Sequence, residues 1–290
     1  MLATSKSGTF RIGGDIPVHR MGFGAMRLTG PGIWGPPADE DNARKLLRRA
    51  AELGVDFIDT ADVYGPDHSE RLIREALHPY PEKLVIATKA GLVRTEPYNP
   101  KRPIPKNGSE AHIRKALEGS LRKLGVERID LYQLHRIDPE IPVEETMRVF
   151  KALRDEGKIR HIGLSEVGVA EIERARKVVE IATVQNLYNL AARQHEEVLA
   201  YCEKHGIGFM PFYPLDAGKL ATSEAMNDIV RRTKATPAQV ALAWLLKKAP
   251  VMLLIPGTAS VEHLEENIGA CDVTLTDADM AALERLGKVA

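Results

Sequence analysis

GVDFIDTADVYG, residues 54–65, is a helix stop, a short apolar run and a turn in succession. Gly54 closes the helical pattern DNARKLLRRAAEL, which Pro37-Ala38-Asp39-Glu40 opens. The run VDFI ends on Asp59, and Tyr64 follows in the turn. A short apolar run bounded by such signals reads as a buried parallel strand. The unit recurs. KLVIATK ends on Lys89, and IDLYQLH ends on His135. In a parallel sheet or barrel, ligands sit at the carboxyl ends of the strands. One carboxylate, one phenol, one ammonium and one imidazole are therefore directed to a single mouth. That set suits proton donation to a carbonyl.

Working outward, FRIGGDIPV (10–18) reads as a hairpin on a Gly-Gly-Asp turn. The strand candidates are MGFG, VDFID, KLVIATK, IDLYQLH, IRHIGLS, IATVQN, IGFMPF and VMLLIP. Helical patterns separate them, among them SEAHIRKALEGSLRKLG with Ser109 as N-cap and Gly125 as stop. Strands alternating with helices imply βαβ units. Eight of them in 290 residues match an α/β chain folded as a (β/α)8 TIM barrel, whose usual size is ~250 residues. The expectation is one domain over residues 1–290. An open doubly wound sheet is the alternative, but no GxGxxG follows an early strand. Two stretches, Leu92 to Gly108 and Pro214 to about Thr236, read as long loops of the kind that form lids.

Lys+Arg and Asp+Glu both total 40, so no basic excess points to nucleic acid or an anionic membrane. Cys202 and Cys271 make no disulfide framework and carry no metal-ligand spacing. MLATSKSGTF lacks the apolar core of a signal peptide, and no run of roughly 18 apolar residues marks a span. The expected location is the cytoplasm, and the expected state a monomer.

A free phenol titrates near ~10, and an adjacent ammonium favours its ionised form. Lys89 supplies that ammonium, and Asp59 is the carboxylate to orient it. Singly, Asp59 reads as a helix cap and His135 as a core histidine. Three strand ends carrying complementary groups favour the chemical reading. A metal-dependent hydrolase built on Asp59 and His135 lacks further ligands at strand ends.

DTADVYG (59–65), TKAG (88–91) and LYQLH (131–135), with GLS, VQNLYN, FYPL and IPGTASVEHLEEN in order behind them, resemble the aldo-keto reductase superfamily over nearly the whole chain. The resemblance implies a catalytic set of Asp59, Tyr64, Lys89 and His135, with Tyr64 as general acid. It implies a nicotinamide dinucleotide bound without a Rossmann domain. Ser165 and Gln185 would hold the carboxamide and Phe212 stack on the ring, with Pro214 and Leu215 beside it. Glu166 stands where Asn is usual. An ionised carboxylate only accepts hydrogen bonds, so Glu166 either accepts from the carboxamide or turns away to cap the next helix. At the adenosine end, Gly257, Thr258, Ser260 and His263 lie where the family meets the 2′-phosphate, and Glu266 and Asn267 where it meets adenine. Many NADP-specific members carry Lys and Arg where this chain has Gly257 and His263. NADP(H) is favoured, with NAD(H) left open. GAMRLTGPGIWGPP, LHRID, PFYPL and PAQVALAWLL further resemble bacterial pyridoxal reductases and their pyridoxine 4-dehydrogenase relatives. That implies a small carbonyl substrate, pyridoxal being the best single name, and places Trp34, Tyr98 and Arg136 near the mouth. The competing expectation is a non-catalytic nicotinamide-binding regulatory subunit of the same fold.

Overall fold

The computed structural model describes residues 3–99, 101–215 and 223–286. A hairpin of β1 (Thr9–Ile12) and β2 (Ile16–His19) pairs antiparallel, with Thr9 opposite His19. Seven parallel strands follow in sequential order: β3 (Phe23–Gly24), β4 (Phe57–Asp59), β5 (Val85–Ala90), β6 (Ile129–Leu134), β7 (Ile159–Ser165), β8 (Thr183–Leu187) and β9 (Gly208–Phe212). The helices after β3–β8 are α1 (Glu40–Glu52), α2 (His68–Leu77), α3 (Glu110–Leu124), α4 (Val143–Asp155), α5 (Val169–Arg176) and α6 (Glu196–His205). Beyond β9 come α7 (Glu224–Thr233), α8 (Pro237–Lys248), α9 (Val261–Gly269) and α10 (Asp277–Leu286).

The eighth expected strand, VMLLIP, forms no ladder of its own. It bonds at single points on both sides: Phe209 N–H to Val251 O and Leu253 N–H to Phe209 O, each at 2.8 Å, and then Gly22 N–H to Leu254 O and Leu254 N–H to Arg20 O, again at 2.8 Å. Those bonds join the last strand to the first and close the barrel. The seam is tight. A Cβ on Gly24 would lie 2.5 Å from Ile255 O, and one on Gly257 would lie 2.6 Å from Gly24 O. Side chains are excluded there by backbone on backbone.

Period-2 alternation along the strands sorts the interior into layers. Phe57, Val85, Ala87, Leu131 and Met210 point inward and pack on Ile12, Ile16 and Val18 of the hairpin, which plugs the floor. Ile58, Ile86, Tyr132, Leu134, Ile162 and Val184 point outward into the core beneath the helices. One step nearer the carboxyl ends, the inward positions become polar: Asp59, Lys89, Gln133 and Gln185, all buried. Lys89 pairs in register with Gln133, and Ser165 with Gln185.

Two expectations are revised. The stretch from Pro214 to about Thr236 holds α7, capped by Ser223 Oγ accepting from Met226 N–H and anchored by buried Met226 and Ile229; residues 216–222 of that stretch lie outside the described residues. One more helix follows the alternation, with no strand before it. α10 packs on α7, with Leu283 buried and Asp279 ion-paired to Arg232. Ser109 and Gly125 do bound α3, the first accepting from His112 N–H and the second at φ 68°.

The seam yields a stability test. Gly24→Ala is expected to cost about 1–3 kcal/mol, the usual range for overpacking, and to lower Tm by roughly 2–10 °C. Gly119→Ala on α3, where a Cβ meets nothing nearer than Lys123 at 3.8 Å, is expected to leave Tm unchanged or raise it. Calorimetry reads both; equal Tm in Gly24→Ala contradicts the seam.

Candidate active site

The polar layer brings the four expected residues together. Asp59 ends β4 and is 3% exposed; Lys89 lies in β5 and is fully buried. Lys89 Nζ donates to Asp59 Oδ2 at 2.7 Å, to Thr60 O at 2.8 Å and to Tyr64 Oη at 3.4 Å. The other carboxylate oxygen of Asp59 accepts from Gln133 Nε2 at 3.1 Å and Gln185 Nε2 at 2.9 Å. Gln133 was not anticipated as part of the site. Its register opposite Lys89 is its only sequence signal. His135, one residue past β6, is pinned by its N–H to Ala90 O at 2.7 Å. Its ring meets Tyr64 edge-on, centroids 5.9 Å apart.

Electrostatics assign protonation states. Burial alone would lower the Lys89 ammonium, but Asp59 and then Tyr64 more than offset it, and it titrates above its usual value. The sequence led us to expect a Tyr64 phenol lowered by Lys89. The ammonium pulls that way, but burial outweighs it, and the phenol is raised. At neutral pH Tyr64 keeps its proton, the state that donates. Burial, with the charges of Lys89, Arg136 and Arg94, holds His135 well below its ordinary value. Its ring is neutral. Its Nδ1 is sealed from solvent without a partner, leaving Nε2 open to the site.

Beside this centre, Ser165 Oγ accepts from Arg136 Nη1 at 2.9 Å, and the Arg136 guanidinium lies 5.8 Å from the Phe212 ring centroid. Pro214 is buried and Leu215 half-buried. Glu166 turns away, held at φ 56°, and its Oε1 accepts from Leu187 N–H at 2.9 Å. It caps no helix: Glu171 closes the start of α5 by accepting from Gly168 N–H. Asn186 locks the same turn, donating to Val167 O and accepting from Val167 N–H. At the far end, Thr258 Oγ1 accepts from Ser260 N–H, and Ser260 Oγ caps α9 by accepting from His263 N–H. His263 is exposed, Glu266 half-buried and Asn267 buried. Gly257 belongs to the seam, so its missing side chain has a packing cause.

The mouth is clasped by Arg94, another residue the sequence did not single out. Its guanidinium donates to Ile33 O at 2.8 Å, Gly32 O at 2.7 Å and Val63 O at 3.3 Å, and it faces the Trp34 ring. Tyr98 N–H bonds Gly32 O at 2.9 Å, tying the second loop to the first, while its ring is exposed. Among the described residues, no group of three or more His, Cys, Asp or Glu gathers to hold a metal, and no helix is long and apolar enough to cross a membrane.

Comparison with known proteins places this geometry. A model of the Aldo/keto reductase family matches residues 20–288. An uncharacterised oxidoreductase of Schizosaccharomyces pombe is 48% identical, over 98% of this chain and 91% of its own. Pyridoxine 4-dehydrogenase of Escherichia coli is 40% identical, over 97% and 99%. Among solved structures, a glycerol dehydrogenase of Gluconobacter oxydans superposes with TM-score 0.86 at 30% identity, covering 97% of this chain and 95% of that one. An aldo/keto reductase of Klebsiella pneumoniae, in complex with NADP and acetate, gives 0.81 at 29%, covering 96% and 94%.

Behind Lys89 lies a second buried polar cluster. Glu70 accepts from Thr88 Oγ1 at 2.7 Å and pairs with Lys123 at 2.9 Å. Asp62 Oδ1 and Tyr132 Oη are sealed from solvent without partners. Burial, and then the neighbouring Glu70, push the Asp62 carboxyl up to about 8, against pulls from Lys123 and Lys89. A carboxyl raised on folding binds its proton more tightly in the folded state. Stability therefore falls as pH rises from about 4 to about 8 and levels off beyond. Asp62→Asn removes that dependence. It is expected to raise Tm more at pH 8.5 than at pH 5, the difference being roughly 2–8 °C, from about 1–2 kcal/mol. Thermal melts at the two pH values read it; an equal shift at both contradicts the assignment.

Proposed function

The chain belongs to the aldo/keto reductase family, and from that premise we propose that it reduces an aldehyde or ketone to the alcohol with NADPH. Tyr64 is the general acid. The observation that carries this is the fully buried Lys89, bonded at once to Asp59 and Tyr64. A protonated phenol and a neutral imidazole face one space, and both donate to an oxygen there.

The cofactor site fits the chemistry of a carboxamide. Gln185 commits its Nε2 to Asp59, leaving its oxygen to accept from an amide NH2. Ser165 accepts from Arg136, leaving its own proton to donate to an amide oxygen. Together they supply one acceptor and one donor, so no Asn is needed where Glu166 stands. Phe212 offers the ring face, bounded by Pro214 and Leu215. Bound here, a reduced nicotinamide supplies the hydride. Thr258 and Ser260 each accept one backbone N–H and keep a hydroxyl proton for phosphate. The α9 N-terminus adds its dipole and unpaired N–H groups. His263 on its first turn meets the 2′-phosphate, and Glu266 and Asn267 bound the adenine. Since Gly257 is dictated by packing, it carries no signal against NADP, and the Klebsiella structure in complex with NADP supports that choice.

In the reaction, Tyr64 Oη and His135 Nε2 hold the substrate oxygen. Negative charge develops there as the carbon is reduced, and two preorganised donors meet it in a largely dehydrated site. Tyr64 releases its proton to that oxygen. Lys89, 3.4 Å away, stabilises the phenolate left behind, and Asp59 fixes Lys89. The 40% identity to pyridoxine 4-dehydrogenase supports an aromatic aldehyde of the pyridoxal type as the substrate.

Tyr64→Phe separates chemistry from folding. It removes only the hydroxyl, so cofactor affinity and Tm are expected to change little while kcat falls by about 100-fold or more. Steady-state kinetics and a fluorescence titration with NADPH measure the two. Undiminished kcat contradicts the proposal; cofactor binding without turnover in the unmutated protein supports the regulatory-subunit alternative.

A further inference from the structure

Arg136 faces the mouth, and among the described residues its hydrogen bonds use only one nitrogen of its guanidinium. Nη1 makes both bonds, to His135 O at 2.6 Å and Ser165 Oγ at 2.9 Å. Among the described residues it has no ion pair. Glu166, the carboxylate whose field it feels most, has an oxygen committed to Leu187 N–H. The other charged groups nearby are accounted for. Lys89 is neutralised by Asp59, and Arg94 spends its guanidinium on loop carbonyls. Arginine carries five N–H donors. Among the described residues, Nε–H and both protons on Nη2 remain without a partner, and unlike Arg94 Nε those nitrogens are not sealed from solvent.

A half-buried cation without a carboxylate is costly unless an anion completes it. The free edge of a guanidinium is a planar fork matched to carboxylate-like oxygens. The backbone bond to His135 holds that fork beside the reacting centre. Its charge is felt at both the Tyr64 phenol and the His135 ring, lowering each.

We propose that Arg136 is a specificity-determining residue, selecting carbonyl substrates that carry an anionic oxygen close to the reacting carbon, such as an ortho-carboxylate or ortho-phenolate aromatic aldehyde. The proposal rests on the reductase reading and narrows it to a substrate class. Neutral aldehydes use Tyr64 and His135 alone. Anionic ones gain a charge-assisted, two-pronged contact, and that gain appears as selectivity.

The test pairs benzaldehyde with 2-formylbenzoate, using NADPH, the unmutated protein, Arg136→Met and Arg136→Lys. Arg136→Met is expected to lower kcat/KM for 2-formylbenzoate about 10–100-fold more than for benzaldehyde, the worth of a charged hydrogen bond, because loss of its bond to Ser165 falls on both aldehydes alike. The benzaldehyde arm shows that the variant folds and binds cofactor. Arg136→Lys, with charge but no fork, is expected to recover only part of the loss. Benzoate binding to the cofactor complex, followed by calorimetry, is expected to weaken about tenfold or more in Arg136→Met. Parallel losses on both aldehydes with unchanged benzoate binding overturn the proposal and leave Arg136 as a support for Ser165. If the unmutated protein turns over neither aldehyde yet binds benzoate through Arg136, the reductase reading fails and the anion site stands. Absence of both turnover and benzoate binding overturns both.

Discussion

The ion pair between Lys89 and Asp59 is the constraint on which the rest of the structure depends. Both groups are removed from water inside the barrel, and each charge so buried costs several kcal/mol before any partner is counted. Attraction at 2.7 Å repays part of that. The remainder comes from Thr60 O on the ammonium and from Gln133 and Gln185 on the carboxylate. Four strands and a turn must therefore hold fixed register for the pair to survive. Gly163 shows how closely the register is drawn: a Cβ there would lie 2.9 Å from Gln133 Cγ and 2.3 Å from Thr183 Oγ1.

Two other parts of the fold serve that layer. Below it, the hairpin fills the barrel floor with Ile12, Ile16 and Val18, so the polar residues face a dry surface rather than a water-filled pore. Above it, Arg94 binds the loop bearing Trp34 to the turn bearing Tyr64. The result is a phenol that burial keeps protonated, an ammonium its neighbours keep charged and an imidazole that burial keeps neutral. These are the states that donation to a carbonyl oxygen requires at neutral pH.

The barrel and the convergence of Asp59, Tyr64, Lys89 and His135 were legible because apolar runs end at those residues, and strand ends share one face. The eighth strand was legible as a run, though not as the single-point bonding at the seam that replaces a ladder. Gln133 was not legible: it is one polar residue inside IDLYQLH, and only the inward register gives it meaning. Nor was Asp62 distinguishable from a solvated turn residue, because the Glu70 and Lys123 that act on it come from α2 and α3. Gly257 read as a cofactor signal, whereas the approach of Gly24 O explains it. Glu166 was the other ambiguity. Its positive φ and its bond to Leu187 N–H come from the tertiary fold and have no local signature.

The central claim is that this buried layer makes Tyr64 a working proton donor to a carbonyl. Incubating the unmutated protein with excess NADPH and an aromatic aldehyde, and quantifying both cofactor consumed and alcohol formed, tests it most directly. The account requires many turnovers per protein molecule, with alcohol and oxidised cofactor appearing in equal amounts. Saturable NADPH binding with no alcohol formed from any of a panel of aromatic and aliphatic aldehydes and ketones would contradict it.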